Sequence, residues 1–189
     1  MIRRVALLML VVMVMALPVE AAKWLIDKPH SSMAFSVRHL LVSRTKGIFE
    51  DYTGEIEFDE KNLAGGTADF VAQVKSINTM DPKRDEHLSS PDFSDVQKFP
   101  IMTFVSTKVH DLDGNKFKLT GDLTIKDVTK EVTFECEFFG VAKDPMGNTK
   151  SGFSAESTIN RRDFNLIWNM TLEGGGLVVG NDVTITLDL

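Results

Sequence analysis

Hydrophobic and polar side chains alternate with a period of two along most of the chain after residue 23. Such alternation is typical of strands with one buried face, and Gly, Asn or Asp residues separate the runs as turn residues do. In the clearest run, Val132, Phe134, Cys136 and Phe138 share one face, while a threonine and two glutamates occupy the other. The pattern predicts eight strands, at residues 33–38, 54–58, 68–75, 102–109, 116–125, 130–139, 151–159 and 182–189.

One interval, residues 79–100, breaks this alternation. Asp81-Pro82 resembles a helix N-cap followed by proline at the first helical position. Ser90-Pro91-Asp92 is a candidate start for a second short helix, and Phe93, Val96 and Phe99 recur at spacings of three, as on a helical turn laid over a core. We therefore expect a short helical insert around residues 80–98, between two strands.

Turn residues connect several of the predicted strands. Gly114 and Asn115 tolerate positive φ and predict a tight turn, and Asp127 lies in a second short connection. The glycine triple 174–176 predicts a mobile loop or an irregular sheet edge.

Eight short strands with one apolar face favour an all-β, extended antiparallel barrel, which has no exposed edges once it closes. A barrel of this size is either filled by its own side chains or holds one small ligand. Small inward residues such as Ala68, Ala72 and Cys136 favour a hollow interior. A β-sandwich is the competing architecture on pattern alone.

The N-terminus has the features of an export signal. Arg3 and Arg4 precede an apolar run of thirteen residues, 5–17, which is shorter than the roughly 20 residues of a membrane-spanning helix. Small residues follow, so we expect a cleaved signal peptide at residues 1–21 and a single domain at 22–189. The expected location is the periplasm, without stable membrane insertion after cleavage.

Charge and cysteine content exclude several classes of protein. Without Arg3, Arg4 and Glu20, the chain keeps 19 basic and 26 acidic residues, a net charge near −7. An acidic chain without basic clusters argues against nucleic acid and against docking on anionic lipid headgroups. Cys136 is the single cysteine and cannot pair within the chain, so an ordinary apolar core must stabilise the domain.

A series of short motifs, each weak alone, occurs in one order along nearly the whole mature chain. They are Asp27-x-x-His30-Ser31, Phe35-x-Val37-x-His39, Gly47-x-Phe49, Arg84-Asp85-x-His87-Leu88, Asp92-Phe93, Phe99-Pro100-x-Met102-x-Phe104-x-Ser106, Gly121-x-Leu123-Thr124-Ile125, Val128-Thr129-Lys130, Gly152-Phe153-x-Ala155 and Ile159-x-Arg161-x-Asp163-Phe164. In this order the chain resembles the YceI family of polyisoprenoid-binding periplasmic proteins. The resemblance runs from about Trp24 to Leu189.

The resemblance implies an extended, lipocalin-like antiparallel barrel whose apolar tunnel holds a long isoprenoid chain, and it implies binding rather than catalysis. Asn165 departs from the family pattern, since a glycine commonly follows the Asp-Phe pair. Asparagine is the next most tolerant residue for a left-handed backbone, so we expect the turn to survive.

Two groups of residues are candidates for ligand contact. The apolar group should line the barrel interior and comprises Phe35, Val37, Phe49, Phe58, Phe70, Val74, Phe104, Phe134, Phe138 and Phe153. Each of these could equally be ordinary core. The polar group, expected at the barrel mouth, comprises Arg38, His39, Arg84, His87 and Arg161.

The polar residues of the insert permit two interpretations. Arg84, Asp85 and His87 could cap the helical insert and attach it to the rim as a lid, or they could form a catalytic cluster with a nearby serine. The sequence lacks a Gly-x-Ser-x-Gly elbow, which favours the lid. His30, His39, His87 and His110 lack metal-ligand spacing, so no metal site is expected.

Arg161 also permits two interpretations: an Arg–Asp pair that fixes a turn, or a contact to a phosphate or carbonyl at the end of a lipid. The sequence thus predicts an exported, non-catalytic binding protein for an isoprenoid or fatty-acid-like molecule. The alternative is a hydrolase or other enzyme that acts on such lipids. We expect no cofactor besides the bound isoprenoid lipid or quinone. The sequence does not decide whether the chain forms a homodimer.

Overall fold

The computed structural model of the chain describes residues 22–40, 42–171 and 175–189. The predicted export signal lies outside these residues, as does Gly174 of the glycine triple. Within the described ranges, no helix has both the length and the apolar character needed to cross a membrane.

Eleven strands and one α-helix make up the described fold. The strands are β1 (Ala22–Leu25), β2 (Ser32–His39), β3 (Ser43–Phe49), β4 (Tyr52–Asp59), β5 (Asn62–Gln73), β6 (Ile77–Asn78), β7 (Ile101–Asp113), β8 (Lys116–Ile125), β9 (Val128–Lys143), β10 (Thr149–Asn160) and β11 (Val179–Asp188), and the helix is α1 (Pro82–Ser89). The eight predicted strands are β2, β4, β5 and β7 to β11, which confirms the all-β class.

A single curled antiparallel sheet contains all these strands, in the order β1-β4-β5-β7-β8-β9-β10-β11-β2-β3-β6. One continuous sheet, curled around an interior, is a lipocalin-like barrel and not the β-sandwich alternative. The hydrogen-bonded order ends at β1 and β6. Two backbone bonds, from Glu50 N to Ser76 O (3.0 Å) and from Gln73 N to Asp51 O (2.8 Å), attach the β3–β4 connection to the end of β5 and to the segment between β5 and β6.

Three strands were not predicted, and β3 shows why. Its central inward position, between Thr45 and Phe49, is Gly47, which pairs with Phe35 of β2. A Cβ at Gly47 would lie 2.5 Å from the Phe35 ring, so the neighbouring strand's phenylalanine supplies the apolar surface that β3 lacks. The alternation rule finds no hydrophobic residue there and misses the strand. β1 and β6, with four and two residues, are too short to show alternation.

The helical insert is confirmed, with one difference. The Asp81 carboxylate accepts hydrogen bonds from the backbone N–H groups of Lys83 and Arg84, as an N-cap does, and Pro82 is the first helical residue. Residues after Ser90 form a series of hydrogen-bonded turns in place of the second helix, for example from Asp95 N to Ser90 O (2.9 Å). Proline at position 91 fits either conformation, so the start signal alone did not decide between them.

The turn after Phe164 forms as expected. Asn165 adopts the left-handed conformation (φ 58°, ψ 24°) and ends the 3₁₀ helix Arg161–Phe164. Phe164 is 2% exposed, so this turn is anchored in the core.

Candidate functional site

An apolar cavity of about 240 Å³ lies inside the curled sheet. Its lining comes from β2 to β11, from α1 and from the segments that follow α1 and β10. Eight of the ten predicted apolar contact residues contribute to it: Phe35, Val37, Phe49, Phe58, Phe70, Phe104, Phe134 and Phe153. The interior is therefore hollow, although the chain directs many phenylalanines into it.

Close packing of rings against glycine helps to keep this space open. Gly54 of β4 pairs with Phe70 of β5, and a Cβ at Gly54 would lie 2.4 Å from the Phe70 ring. The ring thus lies against the backbone of the neighbouring strand, as Phe35 does over Gly47. Rings held against the wall in this way occupy less of the interior than rings that project into it.

One end of the cavity, which we call the aromatic end, is closed by a cluster of rings. Phe58 is at its centre, with ring centroids 5.5 Å from Trp24, 5.4 Å from Phe138 and 5.0 Å from Phe153. These residues lie on β1, β4, β9 and β10. Phe58 is 3% exposed, so the sheet's own side chains seal this end.

The opposite end, which we call the helical end, is covered by α1, by the turns after it and by the loop after Phe164. Leu88, Phe93 and Leu166 from these segments line the cavity. Trp168 joins the two covers, since its ring lies 4.8 Å from His87 and 5.0 Å from Phe93. The Lys126 ammonium donates to the Phe93 carbonyl at 3.0 Å and attaches the cover to the β8–β9 turn.

Arg161 is the buried charge of this site. Arg161 is 3% exposed and lines the cavity at the helical end. The lining contains one other side chain that is charged at neutral pH, Glu57, and that residue is exposed. The Arg161 guanidinium donates to the backbone carbonyls of Gly180 (2.8 Å) and Leu166, with a longer contact to Val179 (3.5 Å). Burial, and secondarily the charge of Arg162, lower the pKa of Arg161.

The expected Arg–Asp pair is not formed. Asp163 is exposed, and no ion pair among the described residues joins it to Arg161 or Arg162. A 3₁₀ helix directs Arg161 inward and Asp163 outward, which spacing along the sequence did not reveal. Arg161 instead holds the loop after it against β11 through carbonyl groups.

The other polar residues predicted at the mouth lie outside the cavity lining. Arg84 donates to the Thr79 hydroxyl (2.8 Å) and carbonyl (2.6 Å), so it fixes the turn before α1. His87 contacts the Asp92 carboxylate at 3.3 Å. Arg38 is exposed on the outer face of β2, and His39, the last residue of that strand, pairs with Val179.

Val74 and Phe138 also lie outside the lining. β5 ends at Gln73, and Val74 begins a 3₁₀ turn in which its N–H donates to Pro100 O at 2.9 Å. Phe138 precedes a register shift between β9 and β10 and packs into the aromatic end. A helical turn and a bulge each interrupt the simple alternation from which these positions were predicted.

Cys136 lines the cavity and is 7% exposed. Burial raises the pKa of its thiol to about 12. At neutral pH the thiol is therefore protonated and behaves as a small apolar group.

The polar cluster of the insert does not assemble a triad from the residues named for it. The Asp85 carboxylate accepts hydrogen bonds from the Thr79 N–H (2.9 Å) and hydroxyl, while His87 contacts Asp92. The described part of the chain holds no group of three His, Cys, Asp or Glu side chains placed to bind a metal ion.

Sequence reasoning missed several residues of the helical end. Leu166 and Trp168 follow the Asp-Phe turn in a stretch without strand or helix periodicity, so no pattern pointed to them. Leu88 lies within the predicted insert, and its apolar character among charged neighbours was the available signal.

The fold and the site together define a class: an antiparallel barrel that encloses an apolar cavity under a helical cover. The model of the YceI-like domain matches residues 24–189, and the chain belongs to that family. Protein YceI of Escherichia coli O157:H7 is 41% identical over 148 residues, 77% of each chain.

Solved structures agree with this assignment. The YceI protein of Campylobacter jejuni is 35% identical with a TM-score of 0.69, over 87% of this chain and 94% of that one. A polyisoprenoid-binding domain from Saccharophagus degradans has the same fold, with a TM-score of 0.59 over 89% of this chain and 96% of that one, at 13% identity.

Proposed function

We propose that this chain is an exported, non-catalytic binding protein that holds a long-chain isoprenoid or similarly apolar lipid, for transport, storage or sequestration. The observation that carries the proposal is the cavity of about 240 Å³, whose lining is almost entirely hydrocarbon and aromatic. An apolar cavity of about 150 Å³ in another protein stays dry and binds benzene, so a space of this size and chemistry suits a hydrocarbon ligand.

Apolar burial alone can supply the affinity. Each buried CH₂ group contributes roughly 0.8 kcal/mol, so a few five-carbon prenyl units offer more than about 10 kcal/mol before costs. Ordering a flexible chain removes much of this, and drug-sized ligands retain about 0.3 kcal/mol per atom. Submicromolar binding needs about 8 to 9 kcal/mol and is within reach.

Arg161 supports an orientation for the ligand. It is the buried charged group of the lining, and its described partners are carbonyl groups, which do not neutralise it. A guanidinium remains charged in proteins and binds phosphate or carbonyl oxygens well. We propose that the polar end of the lipid, a phosphate or a quinone carbonyl, lies at the helical end while the tail points to the aromatic end.

The comparisons support the ligand class. The neighbour from Saccharophagus degradans is described as a polyisoprenoid-binding domain, and this chain has the same barrel. The N-terminal pattern Arg3, Arg4 and the apolar run 5–17 supports export to the periplasm. No described contact favours the alternative of a lipid hydrolase.

Native mass spectrometry of the protein purified from its own host tests the proposal. We expect a co-purifying hydrocarbon mass that organic extraction removes and that a polyprenyl phosphate or an isoprenoid quinone restores. Repeated absence of any such mass, together with no uptake of either probe by the extracted protein, would contradict the carrier function.

A matched pair of alanine variants tests the location. Ala155 is buried in the cavity wall between Cys136 and Leu187, whereas Ala142 is exposed on β9. Ala155→Phe should fill the cavity and lower probe uptake at least about tenfold, at an overpacking cost of about 1–3 kcal/mol. Ala142→Phe adds the same volume outside, and uptake should stay unchanged.

The orientation has its own test. Wild-type protein should bind a polyprenyl phosphate more tightly than the corresponding neutral polyprenol. Arg161→Met should abolish this preference and leave polyprenol binding within about threefold, and Arg161→Lys should retain part of it. Equal affinity of the wild type for both probes would place the polar end elsewhere.

A further inference from the structure

An exposed apolar patch lies at the helical end, and we call it the rim patch: Leu40, Val42, Ile167 and Met170. Their side chains are 41%, 89%, 64% and 59% exposed. They come from two segments far apart in sequence, the β2–β3 turn and the loop before β11. Backbone hydrogen bonds from Leu40 N to Val178 O (2.8 Å) and from Val178 N to Met170 O (3.0 Å) bring the segments together.

The rim patch is directly connected to the cavity wall. Val179 and Leu166, which line the cavity, are sequence neighbours of Val178 and Ile167. Arg161 donates to the carbonyls of Leu166 and Gly180 and so holds both segments around the cavity end. Whatever contacts the rim patch therefore contacts the cover of the cavity.

Positive charge accompanies this patch although the chain as a whole is acidic. Residues 38–46 contain Arg38, Arg44 and Lys46 and no acidic residue. Arg38 and Arg44 are direct cross-strand partners, and Ser36 pairs with Lys46, so the three basic side chains share the outer face of the hairpin. The segment 166–178 adds one acidic residue, Glu173, and the two segments together keep a net charge of +2.

This basic hairpin corrects the sequence-based expectation that the chain has no basic cluster. The total charge of −6 conceals it, because the three residues are spread over nine positions and only strand pairing brings them together. Like charges opposite each other destabilise a β-ladder, so the Arg38–Arg44 pairing does not stabilise the hairpin through charge. None of the ion pairs among the described residues involves Arg44 or Lys46.

Leu40, in the β2–β3 turn, is also unfavourable for folding. Its φ is 51°, a left-handed conformation that glycine or asparagine adopts more readily than leucine. Leu40 is unfavourable both for the backbone of this turn and for exposure to water. Fold stability therefore does not account for a leucine at this position.

We propose that the rim patch and the basic hairpin dock this protein reversibly on an anionic lipid bilayer, with the helical end against the membrane. Apolar side chains flanked by arginine and lysine are the features of interfacial membrane contacts, where headgroups neutralise the bases and the apolar groups enter the interface. The purpose rests on the proposed function, since docking would bring the cover of a lipid cavity to the lipid. The docking itself depends only on the surface.

Vesicle flotation with the purified protein tests the proposal. Vesicles of phosphatidylcholine with about one third phosphatidylglycerol should bind at least about tenfold more protein than pure phosphatidylcholine vesicles, and salt near 0.5 M should remove most of the difference. Leu40→Asn combined with Val42→Ser should weaken binding about tenfold, as should Arg44→Gln combined with Lys46→Gln. Leu40→Asn suits the turn, so the thermal midpoint should stay the same or rise.

Phe139→Ser and Met146→Ser provide the matched control, since these side chains are 62% and 86% exposed on and just after β9. They should bind vesicles like the wild type. The proposal is overturned if the wild type does not distinguish anionic vesicles, or if both hairpin variants bind normally. A third result would also overturn it: the wild type does not bind vesicles, and the hairpin variants lose binding to a host protein.

Native mass spectrometry of the same variants separates this proposal from the carrier function. Hairpin variants that keep their lipid but lose vesicle binding support docking. Wild-type protein that binds anionic vesicles but never carries lipid would contradict the carrier function and leave docking intact.

Discussion

The aromatic end and the helical end enclose the same cavity by different means. At the aromatic end, Phe58, Phe138 and Phe153 project from paired strands, so opening this end requires breaking a β-ladder. At the helical end, the cover consists of α1, which buries no residue fully, and of turns and a loop held by Phe93 and Trp168. Segments with few buried contacts open at lower free energy than a packed sheet does. We therefore expect the helical end to be the route of ligand entry.

The largest expected effect is at the aromatic end. Phe58→Ala removes a 3% exposed ring that contacts three others, and it should lower the free energy of unfolding by about 3–5 kcal/mol. Denaturant titration measures this loss. Phe139→Ala, whose side chain is 62% exposed, is the control and should change stability by less than about 0.5 kcal/mol. Equal losses for the two variants would mean that the ring cluster does not seal the barrel.

The second prediction concerns the cover. Phe93→Ala should destabilise the whole protein less than Phe58→Ala, by at least about 1 kcal/mol, because it weakens a cover and not the sheet. Hydrogen exchange should accelerate in residues 82–99 and 165–171 and leave β4, β9 and β10 unchanged. Release of bound lipid should accelerate as well. Exchange that rises equally at both ends would remove the distinction between them.

The rate of alkylation of the Cys136 thiol measures how easily a reagent enters the cavity from either end. With a thiol pKa of about 12 in place of 9, the thiolate fraction near pH 8 is about a thousandfold lower than in an unfolded chain. A small alkylating reagent should therefore react slowly with native protein, faster with Phe93→Ala, and at the wild-type rate with Phe139→Ala. Rapid alkylation of the native wild type would contradict an enclosed cavity.

The raised pKa of Cys136 also makes the stability of the fold depend on pH. Because the folded pKa of Cys136 is raised, its contribution to stability is complete below about pH 9 and declines as pH rises toward 12. Cys136→Ala should lack this part of the alkaline loss of stability, which denaturant titrations between pH 8 and 10 would detect. Parallel curves for the two proteins would contradict the raised pKa.

The smallest effect belongs to the exposed ion pair between Asp27 and Lys150, 2.6 Å apart, which attaches the segment after β1 to the start of β10. Contacts with Lys150, then His30, lower the pKa of Asp27. Its stabilisation is therefore present above the ordinary aspartate pKa of 3.8 and is lost as pH falls through the lower folded value. Asp27→Asn should lower the free energy of unfolding, measured by denaturant titration, only slightly at pH 7 and not at all in strong acid. A loss that persists in strong acid would point to a different role for Asp27.

The comparison of the two ends also shows where sequence reasoning succeeds. Phe134 and Cys136 were placed inward correctly because a paired strand directs alternate side chains to the same face. The Asp81 N-cap and the left-handed Asn165 were placed correctly because local hydrogen bonding and φ preferences determine them. These features depend on neighbours within a few positions.

Other features depend on contacts between distant segments. Gly47 makes β3 look unlike a strand until Phe35 of the next strand covers it. Arg161 faces the cavity and not Asp163 because a 3₁₀ turn rotates it inward onto carbonyls of β11. The pairing of Arg38 with Arg44 became visible only through strand register.

By itself, the sequence determined the class of fold, the positions of eight strands and the presence of a helical insert, because period, caps and turn residues act locally. The tertiary structure was needed to decide between a filled and a hollow interior, to show which end is sealed by rings, and to show where charge collects. Those properties depend on which distant side chains share a space, and a one-dimensional pattern does not contain that information.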